Sequence, residues 1–520
     1  MPTLEWIGKD KVVNHHLDVP YRLLEYRYAY TEKGISDDET LSDNKIIRGD
    51  NLEALKALLP QYEGRVKCIY IDPPYNTGNE GWAYNDNVND PKIKKWLGQV
   101  VGREGEDLSR HDKWLCMMYP RIKLLQRLLA DDGVIFVSID DIEITYLRLI
   151  MDEIFGKKRF ISQFIWKSRQ NKDNRNKTNV SIDHEYILCY GNQLRGCHRD
   201  LSQYSNPDND PRELWTSANM VGLATAQERP NLHYDLINPE TGINYGKPLK
   251  GWRYDKNTMH RLITENRILW PSSPNGRPRK KQFLNDLATE YTGFSSIVGN
   301  KCYTSDGTKE QLSIFGNVQV AFPKCTKLLE ELLVQATEKD SIVLDSFAGS
   351  GTTAHAVLNL NKQDGGNRKF ILIEMMDYAD SITAERVKRV INGYADVEGT
   401  GSNFNFYDLG HPLLLDNQYI NEEVPVQKIR EYLFFTETKQ PIEKQIVTEE
   451  PYLLGIHNHA AYYFYYEKPK VTVLNHDFLS RMKTRAECYV IYADKNTLSD
   501  SELEKYYITF KKIPRDITRL

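Results

Sequence analysis

The residues best suited to chemistry are Asp72-Pro73-Pro74-Tyr75, which end the apolar run Val66–Ile71. A β-branched, aromatic run of this kind is expected as a buried strand of a parallel sheet. Two prolines after it stop the ladder and hold a stiff, extended backbone at the strand's carboxyl end. Open α/β sheets place their functional crevices at that edge. An acid, two carbonyls on rigid residues and an aromatic ring there suit a flat substrate bearing an amine. A carboxylate and a carbonyl accepting from the two N–H groups of such an amine would localise its lone pair and stabilise charge developing on nitrogen. Tyr75 offers a face on which such a flat substrate could stack. A tight turn capped by Asp72 explains the same four residues about as well, so a second motif has to decide.

That motif is Asp345-Ser346-Phe347-Ala348-Gly349-Ser350-Gly351-Thr352-Thr353, between an expected strand at 341–344 and a helix from Thr352. Its glycines permit a tight turn and close approach to a ligand, and the helix start favours an anionic group. The third glycine of a dinucleotide fingerprint is replaced by Ala354, which disfavours a nicotinamide dehydrogenase and leaves a single-nucleoside cofactor open. Glu374 follows at the end of the next strand, 23 residues beyond Gly351, where a carboxylate could accept from ribose hydroxyls.

Together the two motifs resemble the amino-methyltransferases of DNA, whose catalytic motif is Asp/Asn/Ser-Pro-Pro-Tyr/Phe/Trp, the Asp-Pro-Pro-Tyr form being found mostly in those that methylate adenine, and whose S-adenosylmethionine motif has the form Asp-x-Phe-x-Gly-x-Gly-Thr. Their order, catalytic before cofactor, is similar to the circularly permuted β group. The segment around 76–86 with 109–114 is similar to the modification (Mod) subunits of type III restriction-modification systems. Phe322-Pro323-Lys324 resembles the family segment lining the methionine end of the cofactor, and Asp50, after the strand at 44–48, would lie near its adenine. The resemblance implies a permuted Rossmann-like α/β sheet with an inserted target-recognition domain and a small α+β carboxyl-terminal domain. It implies a site-specific, S-adenosylmethionine-dependent adenine-N6 methyltransferase acting on duplex DNA by base flipping. Asp72, Pro73, Pro74 and Tyr75 would be catalytic, and Asp50, Phe322, Lys324, Asp345, Phe347, Gly349, Gly351, Thr352 and Glu374 would bind cofactor. A homodimer and a helicase-nuclease restriction subunit are partners implied only by the resemblance. The chain is short for a type III modification subunit, so a solitary or other phage-defence methyltransferase stays open. Cytosine-N4 methylation and a catalytically silent DNA-recognition subunit are the competing readings.

The organisation that must position these residues follows from patterning. We expect an arm at 1–43 with a short helix near 21–30, a catalytic half at 44–192, an insert at 193–318, a cofactor half at 319–400 and a tail at 401–520. In the catalytic half, helices are expected at 52–59, stopped by Pro60, at 114–130 and at 141–155, and strands at 134–139, Phe160–Trp166 and 185–190. Residues 76–105, rich in Gly, Asn and Asp and carrying Trp82 and Tyr84, are expected as an active-site loop. Asp140 and Asp141 are expected as strand-end and cap residues, so no metal site is assigned. His184 and His111 with Asp112 are weaker substrate-side candidates.

Composition bounds the class. With 40% hydrophobic and 27% charged residues, and no apolar run near 18 residues, neither a membrane span nor secretion is expected. The 7 cysteines (68, 116, 189, 197, 302, 325 and 488) form no Cys-x-x-Cys pair, which speaks against zinc and disulfides and fits a cytoplasmic protein. A net charge of −4 means that DNA binding needs local basic surfaces. The candidates are Lys167, Arg169 and Lys172, in a stretch continuing to Lys177, and Arg277, Arg279, Lys280 and Lys281 in the insert.

Overall fold

The computed structural model describes residues 3–77, 110–173, 178–287, 289–415, 419–440, 442, 450–468, 470–514 and 516–517. The expected active-site loop falls outside the described residues from residue 78 onward, as do residues 174–177 of the basic stretch. Contacts divide the chain into two units, Met1–Leu194 with Ser295–Leu520, and Arg195–Phe294.

The first unit is built on an eleven-stranded sheet. In chain order its strands are β1 (Arg22–Thr31), β2 (Gly34–Ser36), β3 (Lys45–Arg48), β4 (Val66–Ile71), β5 (Leu129–Ile139) and β6 (Phe160–Trp166). They continue with β7 (Glu185–Gly191), β8 (Ile297–Val298), β9 (Ile342–Asp345), β10 (Lys369–Glu374) and β11 (Asn403–Pro412). Across the sheet the order is β8-β6-β7-β5-β4-β9-β10-β3-β11-β1-β2. Every pair from β5 through β4, β9, β10 and β3 to β11 is parallel. The pairs β5/β7 and β7/β6 are antiparallel, as are β11/β1 and β1/β2.

This is the permuted Rossmann-like sheet expected. β4 leads through the helix Arg110–Leu128 to β5 on one side, while its other neighbour β9 leads through the helix Thr352–Asp364 to β10. The chain therefore departs in opposite directions from the β4/β9 boundary, the place where such sheets form a crevice. Because β7 runs against β5, its amino end lies at the same edge as the carboxyl ends of β4 and β5.

Alternation explains the core. Ile69 and Ile71 of β4 join Leu55, Leu58, Leu59, Trp114, Met118 and Leu125 in one buried cluster with the helices Asn51–Tyr62 and Arg110–Leu128. Each such side chain taken from water contributes about 1.5–3 kcal/mol. The helices Thr326–Ala336 and Thr352–Asp364 pack on each other, the first against β4 and the second against β10.

Several expectations are corrected. Residues 21–30 form β1 rather than a helix, because Tyr26, Tyr28 and Tyr30 alternate along a strand paired with β11, and Tyr28 stacks on Phe406 at 5.2 Å. Pro60 does not stop its helix, which runs Asn51–Tyr62. Placed in the last turn, the ring removes one donor and two further residues complete the turn. Residues 295–318, expected in the insert, belong to the first unit, where β8 pairs with β6. The sheet also extends past residue 400 through β11, and Tyr432 and Leu433 of the helix Val426–Thr438 enter the main core. Beyond them a four-stranded sheet orders Leu453–His457, Ala460–Phe464, Cys488–Ala493 and Ile508–Lys512. Cys302 and Cys325, 23 residues apart, are joined as a disulfide, where the scattered cysteines had suggested none.

The second unit holds a three-stranded sheet ordered Ile268–Leu269, Arg279–Phe283, Trp215–Asn219. Its core gathers Met220, Leu236, Trp252, Met259, Leu262 and Ile268. Among the described residues no helix is long and apolar enough to cross a membrane.

Candidate active site

The corner after β4 is held from behind. The Trp114 indole, fully buried, donates to the Pro74 carbonyl at 2.7 Å. Asn76, next after Tyr75, is buried with φ +60°, and its Nδ2 donates to Glu143 Oε1 at 2.5 Å. His111 Nδ1 meets the same oxygen at 2.7 Å. Asn tolerates the left-handed region better than most residues, so this contact fixes the direction in which the chain leaves the corner. Asp140 caps the neighbouring turn, its Oδ1 accepting from the Ile142 N–H at 2.9 Å.

In front of the corner lies a compact polar cluster. Lys324 Nζ is 3.0 Å from Asp72 Oδ2, 3.1 Å from Glu185 Oε2 and 2.8 Å from the Tyr75 hydroxyl. An ammonium has three N–H groups, and here each has an acceptor. The Tyr75 hydroxyl in turn lies 2.8 Å from Asp72 Oδ1 and 3.0 Å from Glu185 Oε2. Burial raises the Asp72 carboxyl above its ordinary range, opposed by Lys324 and reinforced by Glu185. Burial pulls Lys324 down, but Asp72 and Glu185 outweigh it and its pKa rises. Burial and then the two carboxylates push the Tyr75 phenol well up. Glu185 was absent from the sequence assignment, although an acid opening the apolar run at 185–190 was a readable signal.

Beside the corner stands the glycine loop. Val343 and Leu344 of β9 pair with Cys68 and Ile69 of β4, so Asp345 emerges next to the end of β4. Asp345 Oδ1 accepts from the Phe347 N–H at 2.9 Å and Oδ2 from the Thr353 hydroxyl at 2.5 Å. Gly349 and Gly351 have φ +52° and +84°, and a Cβ on Gly351 would meet the Thr383 carbonyl oxygen at 3.1 Å. Glu374 closes the loop from β10, accepting from the N–H groups of Gly349 at 2.8 Å and Met376 at 3.0 Å. Burial raises both carboxyls to about 7, against the hydrogen bonds they accept. Arg386, fully buried and also missed by the sequence, donates to Ser350 Oγ and Thr352 Oγ1, each at 2.9 Å, and fixes the loop's outer limb.

A cavity of about 800 Å³ joins the two features, lined by Asp72, Pro73, Tyr75, Phe322, Lys324, Asp345, Phe347, Gly349 and Thr352. Glu185, His184 and Arg169 also line it. Pro74, Gly351, Glu374 and Asp50 do not border it. Asp50 caps the helix Asn51–Tyr62, accepting from the Leu52 N–H at 2.9 Å, and pairs with Arg121. The volume lies in the range of small-molecule sites. Its lining suits a nucleoside sulfonium, with acids at both strand ends, aromatic rings at Tyr75 and Phe347 and a glycine loop at close approach. Lys324, assigned by sequence to the cofactor, spends its three donors on the Asp72 cluster.

The basic candidates divide. Lys167, Arg169 and Lys172 are exposed after β6, with Arg169 Nη1 paired to Asp173 at 2.8 Å. In the second unit Arg277 and Arg279 are exposed and Lys280 is half-buried. Lys281 is corrected: it is only 3% exposed and is ion-paired with Asp208 and, at 3.1 Å, with Asp210. Along the strand Arg279–Phe283 it shares its face with Phe283, which is buried, so its charge is consumed inside the unit.

With this geometry in view, comparison with known proteins is informative. The profile of the DNA methylase family matches residues 66–385, from β4 to the start of the helix that carries Arg386. The Mod subunit of the type III enzyme StyLTI from Salmonella typhimurium is 33% identical over 68% of this chain and 58% of its own length. The EcoP15I Mod subunit from Escherichia coli is 29% identical over 75% of this chain and 66% of its own. The type II methyltransferase M.KpnI from Klebsiella pneumoniae is 31% identical over 68% of this chain and 85% of its own. The match thus spans about three fifths of the length of these type III relatives.

Proposed function

Since this chain belongs to the DNA methylase family, we propose that it transfers a methyl group from S-adenosylmethionine to the N6 amine of adenine in duplex DNA. The observation that carries this reading is the shared cavity between Asp72-Pro73-Tyr75 and the Asp345–Gly351 loop on adjacent parallel strands. When bound, S-adenosylmethionine supplies a methyl group on sulfonium sulfur, which leaves as the S–C bond breaks and its electron pair stays on sulfur. Asp345, Phe347, Gly349 and Thr352 would hold it, with Glu374, whose carboxylate oxygens retain lone pairs for hydroxyl donors, beneath the loop.

The chain's own groups then act on the amine. The Asp72 carboxylate and the Pro73 carbonyl accept from its two N–H groups, which localises the nitrogen lone pair and stabilises the charge it acquires. Tyr75 presents its ring to a base turned out of the stack, since an amine paired within the duplex is out of reach of this crevice. Asp at position 72 favours adenine over the N4 amine of cytosine, which remains the second reading because both amines need the same acceptors. A silent recognition subunit accords poorly with a site whose acid, aromatic and loop are all in place.

Sequence selection falls to the unit Arg195–Phe294, through exposed Arg277 and Arg279, with Lys167, Arg169 and Lys172 on phosphates. Because the Mod relatives are subunits of type III restriction-modification enzymes, the protein would serve a restriction-modification or phage-defence system in the cytoplasm, with a second copy of itself and a helicase-nuclease subunit as the partners that the motif resemblance implies. The test of the chemistry is Asp72→Ala. Calorimetry should show S-adenosylmethionine binding nearly unchanged while labelled methyl transfer to unmethylated DNA disappears. Loss of cofactor binding in a folded variant would remove Asp72 from its role as acceptor for the substrate amine.

A further inference from the structure

We infer that Glu185 receives the proton that the substrate amine loses, through the Tyr75 hydroxyl, and so restores Asp72 for the next turnover. This rests on the methyl-transfer reading above and adds a residue that neither the sequence motifs nor the family match singles out.

The argument starts from counting protons and charges. Asp72, Glu185 and Lys324 carry two negative charges and one positive, so the cluster is one proton short of neutrality in a largely buried place. Tyr75 has one hydroxyl proton and two carboxylate oxygens within reach, Asp72 Oδ1 at 2.8 Å and Glu185 Oε2 at 3.0 Å. Lys324 already donates to the phenol oxygen at 2.8 Å, so that oxygen can satisfy one carboxylate by donation and not both. One more proton between Asp72 and Glu185 would complete the hydrogen bonding and cancel the excess charge.

Methylation supplies that proton. It leaves the amine nitrogen positively charged with one hydrogen too many. The N–H proton passes to Asp72. Tyr75 then gives its hydroxyl proton to Glu185 Oε2 and takes the proton from Asp72 at Oδ1. The nitrogen ends neutral, Asp72 ends ionised, Tyr75 is unchanged, and Glu185 holds the proton. The Glu185 side chain is 19% exposed and lines the cavity, so the proton can leave to water. Lys324 keeps both carboxylates in register throughout. The other charged or titratable groups near this path are Tyr70 and Asp345 on the strands behind, and Asp140, Asp141, Arg169 and His184 on the cavity wall. Burial and the Glu185 charge both raise the Asp72 carboxyl, which favours its taking a proton briefly.

The test uses the full chain with Glu185→Gln, which keeps an acceptor for Lys324 and Tyr75 but cannot take a proton, and Glu185→Asp, which keeps the carboxylate. With unmethylated genomic DNA in excess, E185Q should bind S-adenosylmethionine and DNA as the wild type does and methylate its first site in a burst of wild-type size. Its steady-state turnover after that burst should be about 100-fold slower, with the wild-type fall in rate toward acid replaced by a continuous rise with hydroxide. E185D should retain the wild-type pH profile at a reduced rate. A wild-type steady-state rate in E185Q, or a slowed rate with an unchanged pH profile, would each overturn the role of Glu185. If the wild type fails to methylate DNA at all, the methyl-transfer reading fails, whereas a wild type that turns over beside an equally fast E185Q overturns the role of Glu185 alone.

Discussion

Replacing Asp345 by Asn should stabilise the ligand-free protein while emptying its cofactor site, and the gain should depend on pH. Asp345 is 2% exposed and sits among apolar strands, with hydrogen bonds from the Phe347 N–H and the Thr353 hydroxyl as its compensation. Burial raises its pKa from 3.8 to about 7. Between those values the folded protein keeps a proton that the unfolded chain releases, so wild-type stability falls as pH rises through about 4 to 7. Asn does not titrate. The variant should therefore match the wild type near pH 4 and gain on it until about pH 7. A shift of about 3 units corresponds to about 4 kcal/mol, less about 1 kcal/mol if Thr353 must turn to accept from the new amide. The Asp345 charge also raises Glu374, so its removal relieves the neighbour as well. Scanning calorimetry of both proteins at pH 4 and pH 8 should give similar unfolding temperatures at the first and an excess of about 4 °C for Asn at the second. An unfolding temperature lowered equally at both pH values would refute the reasoning, because it would make Asp345 a net stabilising hydrogen-bond acceptor rather than a buried charge.

Other perturbations follow from the same geometry. Gly351→Val should weaken S-adenosylmethionine binding at least tenfold by titration calorimetry, because φ is +84° there and the new Cβ would press on the Thr383 carbonyl. Lys281→Met should leave Asp208 and Asp210 without their ammonium, but Asp210 keeps Arg212 and Asp208 faces water, so the unit Arg195–Phe294 should lose only about 1 kcal/mol, read as slightly earlier proteolysis of that unit. Its effect on DNA binding should be confined to that instability. Arg277→Ala, at an exposed position, should leave stability unchanged. If Arg277 meets phosphate, the variant should reduce the log–log salt slope by about 0.9; if it meets a guanine edge, it should relax the methylated site instead.

The sequence displayed the two acids of the site because each ends a short buried strand and is followed by residues with few conformational choices, Pro73-Pro74 in one case and Gly349 and Gly351 in the other. It also displayed Glu185 and Lys324, but not their meeting. That contact depends on β7 running against β5, which brings a strand's first residue to the edge where the other strands end. No local pattern carries such pairing. Lys281 misled because a basic run was treated as one surface, whereas strand alternation puts Lys281 with Phe283 on the inner face. Residues 21–30 misled because tyrosines and leucines at mixed spacing satisfy a helix as readily as a strand, and only pairing with β11, nearly four hundred residues away, decides between them.

The most direct measurement is the identity of the modified base. Genomic DNA from cells expressing only this chain, digested to nucleosides and resolved by mass spectrometry, should contain N6-methyladenine, absent when the chain carries Asp72→Ala. Single-molecule sequencing of the same DNA should confine it to one recognition site. N4-methylcytosine in place of N6-methyladenine, or no methylated base from a folded chain that binds S-adenosylmethionine and DNA, would contradict the account.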